Sequence, residues 1–75
     1  MEISLNHLRP GNDAQVVSVS ECASISDRLR GFGICPGVTL HCCERSQNGQ
    51  ETALQIDGVC IRLQTRDLEK IRVSL

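Results

Sequence analysis

The stretch RLRGFGICPGVTLHC, Arg28 to Cys42, holds the end of a helix, a turn and the start of a strand in a single run. Just upstream, in SISDRLRGF, Ile25, Leu29 and Phe32 stand at i, i+4 and i+7 and so share one helical face. Ser24 is placed to cap this helix, and Asp27 falls in its first turn, where a negative charge suits the N-terminal partial charge. Gly33 is expected in the left-handed conformation that ends helices, with Ile34 supplying the apolar contact behind it. Pro36 holds Cys35 extended, and Gly37 opens the next strand through a tight turn. No other segment has a helical period of this quality, so the remainder of the chain reads as β.

Working outward, VTLHCCER alternates, with Val38, Leu40 and Cys42 on one face and Thr39, His41, Cys43 and Arg45 on the other. That pattern predicts a half-buried strand with Cys42 inward and Cys43 toward solvent. The Asn48-Gly49 pair, expected at positive φ, turns the chain into TALQI, and Asp57-Gly58 turns it again into VCIRLQ. Val59, Ile61 and Leu63 are the inward set of VCIRLQ, and Ile71, Val73 and Leu75 that of KIRVSL. Between those strands TRDLE reads as one helical turn with Thr65 as its N-cap. Upstream, the turn formers of RPGNDA lead into the β-branched run AQVVSVS. Five short strands, one inserted helix and tight turns predict a mainly β domain, a small closed or nearly closed barrel.

Length and charge set the boundaries of function. The chain has 75 residues, enough for one domain that buries about 60 to 65% of its unfolded surface. Its net charge of -1, from eight basic and nine acidic side chains, creates no field that would gather nucleic acid or an anionic membrane. The chain contains one aromatic residue, Phe32, so it lacks the stacking platforms of single-strand binders. MEISLNHLRPG has no apolar targeting core, and no run approaches the about 18 apolar residues of a membrane span. The expectation is a cytoplasmic protein with no membrane insertion. Five cysteines without a secretion signal, an odd number, read as reduced thiols rather than a disulfide framework.

Three segments, LRPGNDAQVVSV, RLRGFGICPGVTLHC and GVCIRLQTRDLEKIRV, together resemble the FeoA family of small proteins of bacterial ferrous iron uptake. The most specific part is Arg28, Leu29, Gly33, Pro36 and Gly37, supported by the opening set Leu5, Leu8, Pro10 and Gly11. The resemblance implies an SH3-like barrel with an inserted helix and an accessory or regulatory role toward FeoB, the membrane transporter with a cytoplasmic GTP-binding portion. It implies no catalysis and no cofactor. Similar modules in metal-dependent repressors serve protein contacts. The chain departs from the family pattern in SQNGQE, where relatives often carry Leu-Gly-x-Pro, and at Gln64, where they usually carry arginine.

The chemistry of the residues agrees with a binding module. No C-x-x-C or H-x-x-x-H spacing is present, so no metal site is expected, although His41 and Cys43 share the outward face and offer two ligands. Neither His7 nor His41 has the company that Cys-His catalysis needs, and no phosphate loop occurs. A thiol-based metal or redox protein, resting on Cys22, Cys35, Cys43 and Cys60, is the alternative reading. Leu29, Gly33, Pro36 and Gly37 are accounted for by packing, helix termination and turn formation. Arg28 and Arg30 contribute nothing to those tasks, and they are the candidate contacts for an acidic partner. Pairing of exposed strand edges would allow a weak homo-oligomer.

Overall fold

The computed structural model describes the backbone of residues 1–19 and 23–75, and the side chains of these apart from residues 23–26. Cys22 therefore lies outside the described residues, as do the side chains of Ser24 and Ile25. The elements run β1 (Glu2–Ser4), a 3-10 turn (Leu5–His7), β2 (Asp13–Val19), α1 (Ala23–Gly31), β3 (Thr39–Arg45), β4 (Glu51–Ile56), β5 (Val59–Gln64), a second 3-10 helix (Thr65–Lys70) and β6 (Ile71–Ser74). All six strands form one antiparallel sheet in the order β1-β6-β2-β3-β4-β5. The sheet wraps around a core to which Leu5, Val16, Leu40, Leu54, Leu63, Leu68, Ile71 and Val73 contribute. No ladder joins β5 to β1 among the described residues, so the barrel is not strictly closed. The mainly β, barrel-like architecture is as expected, with six strands in place of five. Glu2–Ser4 was missed because a three-residue strand carries no alternation to detect.

The end of α1 is a full Schellman motif. The Ile34 amide donates to the Leu29 carbonyl at 2.9 Å, the Gly33 amide to the Arg30 carbonyl at 2.9 Å, and Gly33 has φ +88°. Leu29 and Ile34, four residues before and one residue after the left-handed Gly33, are both buried in the same core cluster and close the motif on its apolar side. The helix begins at Ala23, one residue ahead of the expected cap Ser24, and Asp27 accordingly falls beyond the first turn. Phe32 is not in the core; it is 44% exposed. The left-handed turn at Gly33 swings Ile34 into the space beside Leu29, and Phe32 is left at the margin.

Pro36 and Gly37 form a type II turn, with the Val38 amide on the Cys35 carbonyl at 3.2 Å and Gly37 at φ +95°. Arg9-Pro10-Gly11-Asn12 repeats the geometry, its Asn12 amide on the Arg9 carbonyl at 3.2 Å and Gly11 at φ +94°. Each turn also docks on a strand: the Gly37 amide donates to Val16 at 2.8 Å, the Gly11 amide to Cys42 at 2.7 Å. The β2–β3 pair is thus clamped by one turn at each end.

Two bulges alter the alternation. In β3 the register slips between Cys42 and Glu44, so that Cys43 is the extra residue. Leu40 and Cys42 point inward and Cys43 outward, as expected. Beyond the bulge, parity reverses and Arg45, expected outward, turns onto the inner side. There its Nε donates to Thr52 Oγ1 at 3.1 Å and its Nη2 to the Leu8 carbonyl at 3.0 Å. A similar slip between Val16 and Ser18 leaves Val17 exposed.

The hairpin turns follow their sequences in part. Asp57 (φ +52°) and Gly58 (φ +78°) make a two-residue turn of the type I′ class. In the β3–β4 loop only Gly49 has positive φ, while Asn48 instead uses its Oδ1 to accept from Ser46 Oγ at 2.8 Å and from the Gln50 amide at 3.0 Å. Thr65 is the first residue of its 3-10 helix rather than the cap, and its hydroxyl lies 2.8 Å from that of Thr52. Val59 (60% exposed) and Leu75 (54% exposed) miss the core because the first stands at the hairpin tip of the outermost strand and the second follows the last strand residue.

Candidate functional site

Helix α1 presents Arg28 and Arg30 to solvent on either side of buried Leu29. Neither guanidinium has an ion-pair partner among the described residues. Arg28, Leu29 and Phe32 meet Leu63 of β5 and Asp67 of the second 3-10 helix around a shallow depression. The depression therefore combines Arg28, an exposed phenyl ring and one carboxylate, and Arg30 lies outside it. Guanidinium groups with an aromatic neighbour are well suited to a protein surface bearing carboxylates. Leu29, Gly33, Pro36 and Gly37 build the helix end and turn, in which the side chains of Arg28 and Arg30 take no part. Phe32 belongs to this surface, which helical period alone could not reveal because it assigns the ring to the core.

A second feature was invisible in the sequence. A groove of about 540 Å³ is lined by Asn6, the β3–β4 loop from Gly49 to Glu51, and Gln64, Thr65, Arg66 and Glu69. The Thr65 amide donates to the Gln50 carbonyl at 2.8 Å and fastens the groove's floor. Asn6 Oδ1 is buried there without a hydrogen-bond partner among the described residues. The SQNGQE loop and Gln64, the two places where the sequence departs from the FeoA pattern, thus meet on one surface.

His41 and Cys43, the two potential ligands on the outward face, have different partners. His41 turns toward β2, where its Nδ1 is engaged by Asp13 Oδ1 of the facing residue pair. The Cys43 thiol faces the His41 carbonyl at 4.0 Å, at the limit of a sulfur hydrogen bond. Desolvation against the strand surface, then the Cys60 thiol and Glu44, push the Cys43 thiol up from its ordinary value. Burial pushes the Cys42 thiol up as well, with Arg45 acting in the opposite sense. Among the described residues no group of three or more His, Cys, Asp or Glu side chains is gathered to hold a metal ion. No helix among them is long and apolar enough to cross a membrane.

Comparison with known proteins accords with the fold. The model of the FeoA domain matches residues 3–75. A crystal structure described as an iron uptake regulatory protein (FeoA) superposes with a TM-score of 0.89 at 20% identity, covering 99% of this chain and 96% of the other. The FeoA-like protein from Clostridium acetobutylicum gives 0.91 at 19% identity, over 99% of this chain and 86% of that one. A manganese-dependent transcriptional repressor contains the same fold, with a TM-score of 0.87 at 21% identity over 99% of this chain but only 42% of its own. Among curated proteins none matches. With a family model spanning nearly its whole length, and a sheet that superposes on those of solved FeoA proteins, this chain belongs to the FeoA domain family.

Proposed function

We propose that this chain is a noncatalytic accessory protein of bacterial ferrous iron uptake that works in the cytoplasm by binding the GTP-binding portion of an FeoB-type transporter. The observation that carries the reading is the FeoA match over residues 3–75, which supports a role in ferrous iron transport systems. The contact surface in this reading is the α1 end, where Arg28 and Arg30 are exposed beside Phe32. Two exposed, unpaired cations at one helix end, Arg28 of them beside Phe32, favour an acidic protein partner, and a net charge of -1 disfavours nucleic acid. GTP chemistry stays with the transporter, which this chain would restrain or assist by contact.

The test is a pull-down of the transporter's complete cytoplasmic portion, with and without guanine nucleotide, using the parent and the Arg28→Glu, Arg30→Glu double variant. The parent retains the transporter and the double variant loses it while keeping the parent's thermal melt. Capture of the transporter by neither protein, together with unchanged ferrous iron uptake on gene deletion in a strain that relies on the transporter, would overturn the reading. Equal capture by both proteins moves the contact to another face, with the groove beside Gln64 next to be mutated.

A further inference from the structure

The sheet ends in two edges that are built differently. β1 is three residues long and begins with the exposed Glu2, so that edge is short and charged. β5 has six residues in unbroken register with β4, carries no proline, glycine or bulge, and has no strand beyond it among the described residues. Its single charge, Arg62, is offset by Glu44 of β3, on whose Oε1 the Arg62 Nη2 donates at 3.2 Å. None of the usual devices that blunt a sheet edge protects this strand.

The phase of the β4–β5 hairpin decides which backbone groups face outward. Asp57-Gly58 is a two-residue turn, so the flanking Ile56 and Val59 exchange both backbone bonds, and Ile61 and Leu63 repeat the pattern toward β4. The Thr65 amide, on the Gln50 carbonyl at 2.8 Å, continues the same phase. The amides and carbonyls of Cys60 and Arg62 therefore point away from β4, and no backbone group among the described residues answers them. Gln64 shares their phase, but as the N-cap of the second 3-10 helix it commits its carbonyl there.

A second copy laid antiparallel about a two-fold axis must set outward-facing residues of β5 against one another. Arg62 opposite Arg62 places like charges face to face and calls on the committed Gln64 carbonyl. Cys60 opposite Cys60 throws Arg62 beyond the strand, against Gly58 of the turn. Cys60 opposite Arg62 uses every outward group of both residues, and it sets Ile61 against Ile61 and Val59 against Leu63. Val59 is 60% exposed in the single chain, and Leu63 borders the depression that holds Phe32, itself 44% exposed. This register covers the exposed valine and brings it beside the exposed ring, so the chain complements its own edge in apolar surface as well as in backbone bonds.

We propose that the outer edge of β5 is a self-association surface, on which two copies pair antiparallel with Cys60 of one opposite Arg62 of the other. A strand of this length spans about 20 Å. The contact therefore lies at the low end of interface sizes, and the dimer is weak and concentration-dependent. The inference does not rest on the transporter reading.

Sedimentation velocity of the full, reduced chain from micromolar to millimolar concentration tests it. The parent passes from monomer to dimer within that range. Val59→Lys puts a charge against Leu63 of the second copy, and Arg62→Pro removes an outward amide that β4 does not use; both remain monomeric and keep a cooperative thermal melt. Ile61→Cys, made together with Cys60→Ser, sets two thiols across the axis at a Cα separation of about 4.5 Å, within disulfide range. Oxidised glutathione then links two copies through residue 61, as peptide mapping reads, and adding Val59→Lys abolishes the link. The proposal is overturned if the parent is monomeric throughout, if Val59→Lys associates as the parent does, or if the residue-61 link fails to form in a chain that dimerises. A parent that stays monomeric while Val59→Lys weakens capture of the transporter's cytoplasmic portion assigns the edge to a foreign strand, and overturns it equally.

Discussion

Replacing Thr52 by valine keeps the shape of a fully buried side chain and removes one oxygen atom. That oxygen accepts from Arg45 Nε at 3.1 Å and lies 2.8 Å from the Thr65 hydroxyl. A neutral hydrogen bond contributes about 1 kcal/mol net, and one to a charged group about 1.5 to 3. The two together come to about 2.5 to 4 kcal/mol, and the methyl gained in exchange returns about 0.8. Arg45 keeps its bond to the Leu8 carbonyl, at 3.0 Å, so the guanidinium is not wholly orphaned. A net loss of about 2 to 3 kcal/mol remains, a large share of the about 4 to 11 expected for a domain of this length. Urea titration reads the loss directly, and the melting temperature falls by about 10 to 20 °C. Thr52→Ser retains the oxygen and loses only the methyl, costing about 1 kcal/mol. Thr52→Val combined with Thr65→Val costs less than the sum of the two alone, because the bond they share is lost once. A Thr52→Val midpoint within about 0.5 kcal/mol of the parent, or strict additivity of the double variant, refutes the network as a source of stability.

Leu29→Ala removes the apolar half of the Schellman contact and costs about 2 to 5 kcal/mol by chemical denaturation, whereas Arg28→Glu plus Arg30→Glu changes stability by less than about 1. Gly37→Ala places a β-carbon on a residue at φ +95° with nothing within 4 Å to obstruct it, so its cost is conformational alone, about 1 to 2 kcal/mol in a thermal melt. The Cys42 thiol, raised by burial in the folded chain, keeps its proton at a pH where the unfolded chain has lost it. Stability measured by urea titration is therefore level below the ordinary thiol value of 9.0 and declines as pH rises above it, and Cys42→Ala flattens that decline.

The parts of the fold legible in sequence were those specified by neighbours in the chain. The Gly33 cap, the Pro36-Gly37 turn and the Asp57-Gly58 hairpin follow from backbone preferences that a few residues settle locally. Alternation located Cys42 and Cys43 correctly, then failed at Arg45, since an inserted residue reverses parity without any signature of its own. Phe32 fitted the helical stripe, yet whether a stripe's last member is covered depends on where the chain goes next. The site divides in the same manner. Arg28 and Arg30 stood out because no local task explained them. The groove draws on Asn6, the Gly49 loop and Thr65, an arrangement created by the curl of the sheet alone.

The pairing of β1 with β6 has a consequence for chain topology. Glu2 faces Ser74, and the Leu75 amide donates to the Met1 carbonyl at 3.0 Å, so the two ends of the described chain are neighbours in one ladder. In the linear chain this contact closes the largest loop available, and it is among the entropically slowest to form. A short linker joining the ends, with the chain reopened at the exposed Asn48-Gly49 turn, would convert β6–β1 into a local hairpin and make β3–β4 the distant pair. The same sheet would then assemble in a different order, and comparing the folding rates of the two connectivities would show which closure limits the rate.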